Sequence, residues 1–294
     1  MSAIGQHTQR QTWSAWLQGR GRRFSRRIVT HLILIVGSLT FIAPLAFMLS
    51  TSLKAQRQII VFPPIWIPNP VIWRNYTDVF HYAPLHRYFF NTLLICVTWA
   101  FGATCTSSLA AYAFARLRAP GRNAIFTILL STMMVPGIVT LIPTYILFAK
   151  LDWVDSFRPL TVPALFGSAF FIFLMRQFFM TIPKELEDAA LIDGCSWIGI
   201  WWRIMLPLAK PALATVAIFA FTSAWNDFLG PLIYLNNRKL YTLSLGLQVF
   251  SHAHGTEWGM LMAASTMMVA PIILLFFFTQ KQFVQGITLT GMKG

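Results

Sequence analysis

The chain has 294 residues, 56% of them hydrophobic and only 11% charged, with a mean hydropathy of +0.61. A water-soluble domain carries charge at about a quarter of its positions, so composition excludes an ordinary soluble fold and points to a membrane protein. The net charge of +14 does not imply nucleic-acid binding, because the charges lie between long apolar runs and form no continuous basic patch.

A basic tail comes first. Arg10, Arg20, Arg22, Arg23, Arg26 and Arg27 precede the apolar stretch 29–53, an arrangement that holds a segment on the cytoplasmic side. A cleaved signal peptide is the competing reading, but Ile28 to Leu53 is too long for one and no small-residue cleavage site follows. A helix needs about 20 apolar residues to cross the hydrocarbon core. Six stretches are long enough: 29–53, 87–115, 123–148, 159–182, 208–235 and 258–280.

The expected fold class is therefore an all-α membrane protein, one domain over 1–294 with six transmembrane helices and a cytoplasmic helix-turn-helix loop. Both termini face the cytoplasm in this topology, as do segments 1–28, 116–122, 183–207 and 281–294. Fifteen of the 23 Lys and Arg residues fall on that side and eight on the other, which supports the assignment.

The first outer loop runs Phe62 to Pro70 with four prolines in nine residues, which excludes a continuous helix and favours an extended path. Trp66, Trp73 and Tyr76 are placed to anchor at headgroup level or to dock a soluble partner. The outer loops keep a small positive excess despite Asp78, Asp152, Asp155 and Glu257. That excess fits acidic cargo, or side chains that merely snorkel at the boundary.

Cys96 and Cys105 lie in an apolar span and Cys195 in a cytoplasmic loop, so no disulfide framework is visible. His252 and His254 read as a solvent-facing loop pair, and no metal site is expected. The sequence has no phosphate-binding loop, His-Glu-x-x-His, Cys-x-x-Cys or Gly-x-Ser-x-Gly. The expectation is a chain that is not an enzyme and holds no cofactor of its own.

The informative segment is the cytoplasmic stretch Glu185 to Pro207. Pro183 suits the first turn of a helix, and Glu185, Glu187 and Asp188 near that N-terminus complement its dipole. Gly194 permits a change of direction. Leu186, Ala190 and Trp197 can share one face, joined on the next helix by Ile200, Trp201 and Ile204. So apolar a loop is expected to be buried, either on its own membrane surface or against a partner.

Asp188-Ala189-Ala190, Gly194 and Ile204-Met205-Leu206-Pro207 stand at the spacing of Glu-Ala-Ala, three residues, Gly, nine residues, Ile-x-Leu-Pro. The loop thereby resembles the signature of permease subunits in binding-protein-dependent ABC importers. Asp188 replaces the usual Glu and Cys195 a common Ala.

Further patterns extend the resemblance over nearly the whole chain: Ser52-Leu53-Lys54, Asn75-Tyr76, Ala111 to Leu117 with Pro120-Gly121, Met134-Val135-Pro136 with Ile142-Pro143, and Trp225-Asn226-Asp227-Phe228-Leu229 with Pro231. They are similar to the carbohydrate branch, and within it to the second permease subunit of the maltose importer.

The resemblance implies that Glu187, Asp188, Ala189, Ala190, Asp193, Gly194, Ile204, Leu206 and Pro207 form a coupling helix gripped by an ATPase subunit. The other implied partners are a second homologous permease chain, a dimer of ATPase subunits that binds ATP and Mg, an extracytoplasmic solute-binding protein, the bacterial inner-membrane bilayer and a carbohydrate substrate, with glycerol phosphate or another polar solute as the alternative cargo.

Trp225, Asn226 and Asp227 are candidates for the pathway or an interface. Asp227 is the one carboxylate in an expected span, either a functional group or a structural hydrogen bonder. Gln285, Gly286, Lys293 and Gly294 belong to a C-terminal run whose resemblance implies contact with the ATPase dimer.

Overall fold

The computed structural model describes residues 4–252 and 255–291, with side-chain surroundings for 27–251 and 255–280. α1 (Ile4–Ser52) runs unbroken through the first apolar stretch and leaves Ile33, Phe41 and Ile42 exposed, touching the rest of the chain mainly through the last helix. A short helix absent from the sequence reading, α2 (Arg74–Tyr82), follows the proline-rich segment, which has no regular helix between Ile59 and Trp73.

α3 (Leu85–Arg116) is the central post of the bundle. Its small residues let other chain segments approach closely: a Cβ on Gly102 would lie 2.9 Å from the Leu165 side chain at Cδ2 and 3.4 Å from the Ala164 backbone. Ser107 Oγ accepts from the Ser168 amide at 3.2 Å.

The third expected span does not run straight. α4 (Arg122–Ser131) passes through a 3-10 turn, Thr132–Met134, and meets α5 (Gly137–Lys150) at a 98° bend. Pro136 has no amide hydrogen and drives Val135 out of the helical region, to φ −83° and ψ 116°.

The fourth stretch is also interrupted. α6 (Arg158–Thr161) and a 3-10 segment end at Gly167, whose φ of +79° favours glycine, and α7 (Ala169–Thr181) then begins.

After α7 come α8 (Glu185–Ile192), α9 (Trp197–Ile200), a π turn over Trp201–Met205 and α10 (Leu206–Leu208). The chain bends 83° at Ala209 into α11 (Lys210–Asn226), where Pro207 and Pro211 flank the break. The expected fifth span, 208–235, is therefore shorter than read: α11 stops at Asn226, and α12 (Leu229–Tyr234) starts anew beyond Asp227.

α13 (Leu243–Gly246) and a two-residue antiparallel pair, Ser251–His252 with Gly255–Thr256, lead to α14 (Trp258–Gly291), which continues through Pro271. Among the described residues, four helical segments are long and apolar enough to cross a membrane, or up to six if each bent pair is one span.

The largest core cluster joins Tyr112, Phe171, Met175, Phe179, Ile200, Met205 and Val216 from α3, α7, the loop and α11. At one edge the two motifs Ser52-Leu53-Lys54 and Asn75-Tyr76 meet. Asn75 Nδ2 donates to the Ser52 and Lys54 carbonyls at 2.8 and 3.0 Å, and Ser52 Oγ lies 2.8 Å from Tyr76 Oη. Lys54 is buried over the Phe47 ring, and burial pulls its ammonium below the ordinary lysine range.

Candidate functional site

The segment Glu185 to Pro207 folds as a compact bent hairpin. Three carboxylates, Glu185, Glu187 and Asp188, stand in the first turn of α8, where the unpaired amides favour negative charge. Pro183 falls two residues ahead of this helix and outside its first turn.

The other end of α8 closes with a Schellman motif. The Cys195 amide bonds the Ala190 carbonyl at 2.9 Å and the Gly194 amide bonds Leu191 at 3.0 Å, with Gly194 at φ +80°. Ser196 then caps α9 by accepting from the Gly199 amide at 3.2 Å.

The expected single apolar face is divided. Ala190, Ile200 and Met205 are buried, and Cys195, Trp201 and Ile204 pack partly against the same core. Leu186 and Trp197 face outward instead, with Asp188, Ala189, Asp193, Gly194, Trp202, Ile198 at 70% exposure and Ile192 at 87%. The reason is helical spacing: Glu187 and Ala190, three apart, take the inner side of α8, and Leu186 is rotated away from them. Of the signature's last residues, Ile204 and Leu206 are half-buried and Pro207 is exposed.

Sequence reasoning missed the group that fastens this loop. Arg116, the last residue of α3, sits with its Nε 3.0 Å from Glu187 Oε1, and the side chains are only 3% and 7% exposed. The contact is an ion pair whose angle falls short of a hydrogen bond. The arginine's Nη2 donates to the Phe179 carbonyl at 2.7 Å and to that of Ile182. Burial raises the Glu187 carboxyl above the ordinary range, outweighing the downward pull of Arg116.

The signal lay in Ala111 to Leu117, a basic residue ending an apolar run, but nothing in the spacing paired it with Glu187. A groove of about 530 Å³ opens beside the pair, lined by Arg116, Arg118, Lys184, Asp188, Leu191 and Trp197.

The candidates around Asp227 separate. Trp225 is 1% exposed, donates from Nε1 to the Met268 carbonyl at 3.2 Å and stacks on Phe221, so it packs in the core. Asn226 is exposed and returns a bond to the Thr222 carbonyl at 3.0 Å. Asp227 Oδ1 accepts from the Gly230 amide at 3.1 Å, and its own carbonyl accepts from Ser244 Oγ at 2.5 Å. The carboxylate thus caps the start of α12. Gln285 and Gly286 lie in α14, but their side chains, and all of Lys293 and Gly294, are outside the described residues, as are the side chain of His252 and the whole of His254.

Long apolar helices around a fastened, partly exposed hairpin are the build of a membrane transport component. Residues 103–289 match the family described as binding-protein-dependent transport system inner membrane component, and the chain belongs to that family.

It is 34% identical over 271 residues to the arabinooligosaccharides transport system permease protein AraQ of Bacillus subtilis, covering 91% of this chain and 96% of the relative. It is 31% identical to the sulfoquinovosyl glycerol transport system permease protein SmoH of Agrobacterium fabrum, with 96% of each covered. To the sn-glycerol-3-phosphate transport system permease protein UgpE of Yersinia enterocolitica it is 33% identical, with 88% and 95% covered. Its fold is similar to a chain of a bacterial ABC transporter involved in import of the acidic polysaccharide alginate, with a TM-score of 0.77 at 23% identity over 86% of this chain and 95% of that one.

Proposed function

We propose that the chain is the translocation subunit of an ATP-driven importer that brings a carbohydrate into the cytoplasm by alternating access. It crosses the membrane six times, each bent pair counting as one span, with both termini inside. The observation that carries the reading is the division of the Glu185 to Pro207 hairpin: one face is fastened to the bundle and the other is exposed and apolar. An isolated chain gains nothing from exposing Ile192, Ile198 and Trp202; a docked partner covers them.

That partner is an ATPase subunit, one of two copies that bind ATP and Mg, and this chain contributes no covalent chemistry. Glu187 and Ala190 hold the loop, while Asp188, Ala189, Asp193 and Gly194 meet the ATPase, and the C-terminal run with Gln285, Gly286, Lys293 and Gly294 reaches the ATPase dimer. A second, homologous permease chain completes the pathway, and a solute-binding protein delivers cargo from outside; the neighbour solved with an alginate pentasaccharide-bound periplasmic protein supports the latter. Shifting such a bundle from 1:99 to 99:1 between its two openings takes about 5.5 kcal/mol of differential interaction, which a fastened hairpin transmits and a loose one does not.

The arabinooligosaccharide permease at 34% identity supports an oligosaccharide, and the permease of the sn-glycerol-3-phosphate system at 33% identity supports the second reading, a phosphorylated glycerol. Uptake of labelled arabinooligosaccharide, alginate oligosaccharide and sn-glycerol 3-phosphate, compared between a strain lacking this chain and the same strain complemented, decides the cargo. Loss of a sugar confirms the first reading. Loss of glycerol phosphate alone selects the second, and unchanged uptake of all three refutes both.

A further inference from the structure

We propose that Arg116, Glu187 and Arg176 form a clamp that makes α3, α7 and the hairpin one rigid body, so that Arg116 and Glu187 are positioning residues for transport and lie outside the docking surface. The inference rests on reading the hairpin as the ATPase contact and says how motion leaves it.

A helix C-terminus leaves four carbonyls without intrahelical partners. α3 and α7 end side by side, and each supplies an arginine to the other. Arg116, closing α3, donates to the carbonyls of Phe179 and Ile182 at the end of α7. Arg176, on α7, returns a bond from Nε to the Phe114 carbonyl in the last turn of α3 at 3.2 Å, with its guanidinium 4.2 Å from the centre of the Phe126 ring. The capping is reciprocal, so sliding one helix along the other breaks bonds at both.

Glu187 adds the hairpin to this pair. It is the nearly buried carboxylate of α8, facing inward beside Ala190 while Asp188 faces out. A buried ion pair contributes little net stability, but removing one partner strands a charge. Such a pair is suited to fixing geometry. Its three attachments, α3, the end of α7 and the start of α8, are the three elements a pull on the hairpin must move together.

The test uses the assembled complex, this chain co-purified with its ATPase and partner permease, with Cys96, Cys105 and Cys195 replaced by alanine. Spin labels are placed at Arg203→Cys, an exposed hairpin position outside the proposed docking residues, and at Leu109→Cys, an exposed position on α3. The expected result is one narrow distance distribution, unchanged when Mg-ATP is added. Glu187→Gln and Arg116→Met each broaden it about twofold and lower the solute moved per ATP hydrolysed at unchanged bound ATPase. A merely structural role lowers the amount of complex and leaves that ratio alone.

A distance that shifts with Mg-ATP in the otherwise native chain, or a width unaffected by both substitutions, overturns the clamp. If no ATPase co-purifies with the native chain, the docking reading fails instead, and the width without nucleotide still decides the clamp.

Discussion

Glu187 and Asp188 are adjacent carboxylates with opposite surroundings, and the contrast follows from about 100° of rotation between helical neighbours. Composition and spacing located both but gave no sign of which one turns inward, since the deciding partner, Arg116, lies 71 positions earlier in the chain. Burial raises the Glu187 carboxyl, so the folded chain holds that proton to higher pH than the unfolded one. Its contribution to stability is full below the ordinary carboxylate range and is lost as pH rises through the raised folded value. The thermal midpoint of the wild-type chain in detergent, compared with Glu187→Gln, should therefore shift in favour of wild type as pH is lowered from neutral toward that range. A difference independent of pH contradicts the assignment. Gly194 gives a second residue-scale expectation. A Cβ there meets nothing within 4 Å, so Gly194→Ala is charged only with the left-handed backbone, about 1 to 2 kcal/mol. Gly194→Pro also loses the amide bond to Leu191 and cannot adopt a positive φ, and should lower the midpoint clearly further.

At the scale of elements, the apolar runs were legible and their interruptions were not. Length and hydropathy identify where a helix exists, but the 98° and 83° bends depend on whether neighbouring helices support a broken path, which a single sequence does not display. Pro136 marked the first bend in plain view, yet prolines at 143 and 271 sit inside α5 and α14 without ending them, so the residue type alone was not decisive. The joint between α11 and α12 is more instructive. Asp227 looked like an intramembrane charge and serves as a helix cap, while the contact that makes the joint tight comes from Gly230, where a Cβ would overlap Asp227 Oδ2 and lie 2.9 Å from Leu160 Cδ2. Asp227→Ala should cost about 1 kcal/mol, the usual loss of a cap. Gly230→Ala should cost more, because it displaces the carboxylate and crowds Leu160. In the double variant the overlap with Oδ2 is gone, so the summed cost should fall short of additivity in thermal unfolding. Strict additivity would show that the two residues do not share one joint.

For the whole molecule, the buried clusters account for only part of the apolar side chains. Ile33, Phe41 and Ile42 on α1, Ile138, Val139 and Ile142 on α5, and Phe276 to Phe278 on α14 are all exposed. Lipid and partner chains cover such surface in a membrane, so the core alone does not orient the chain and the charge asymmetry of the sequence supplies the expectation. The asymmetry also makes an orientation testable. With Arg116, Arg118 and Lys184 gathered beside the hairpin, the face that carries Ile192 should lie in the cytoplasm, and the proline-rich segment should lie outside. In intact cells expressing a background with Cys96, Cys105 and Cys195 replaced, a membrane-impermeant maleimide should label Asn69→Cys and spare Ile192→Cys, and permeabilisation should expose the latter. Labelling of both positions from outside would separate the hairpin from any cytoplasmic ATPase and remove the basis for coupling. Labelling of Ile192→Cys that also falls when the ATPase is co-expressed would place that subunit on the exposed face, since the buried face is already occupied by Tyr112, Phe171 and Phe179.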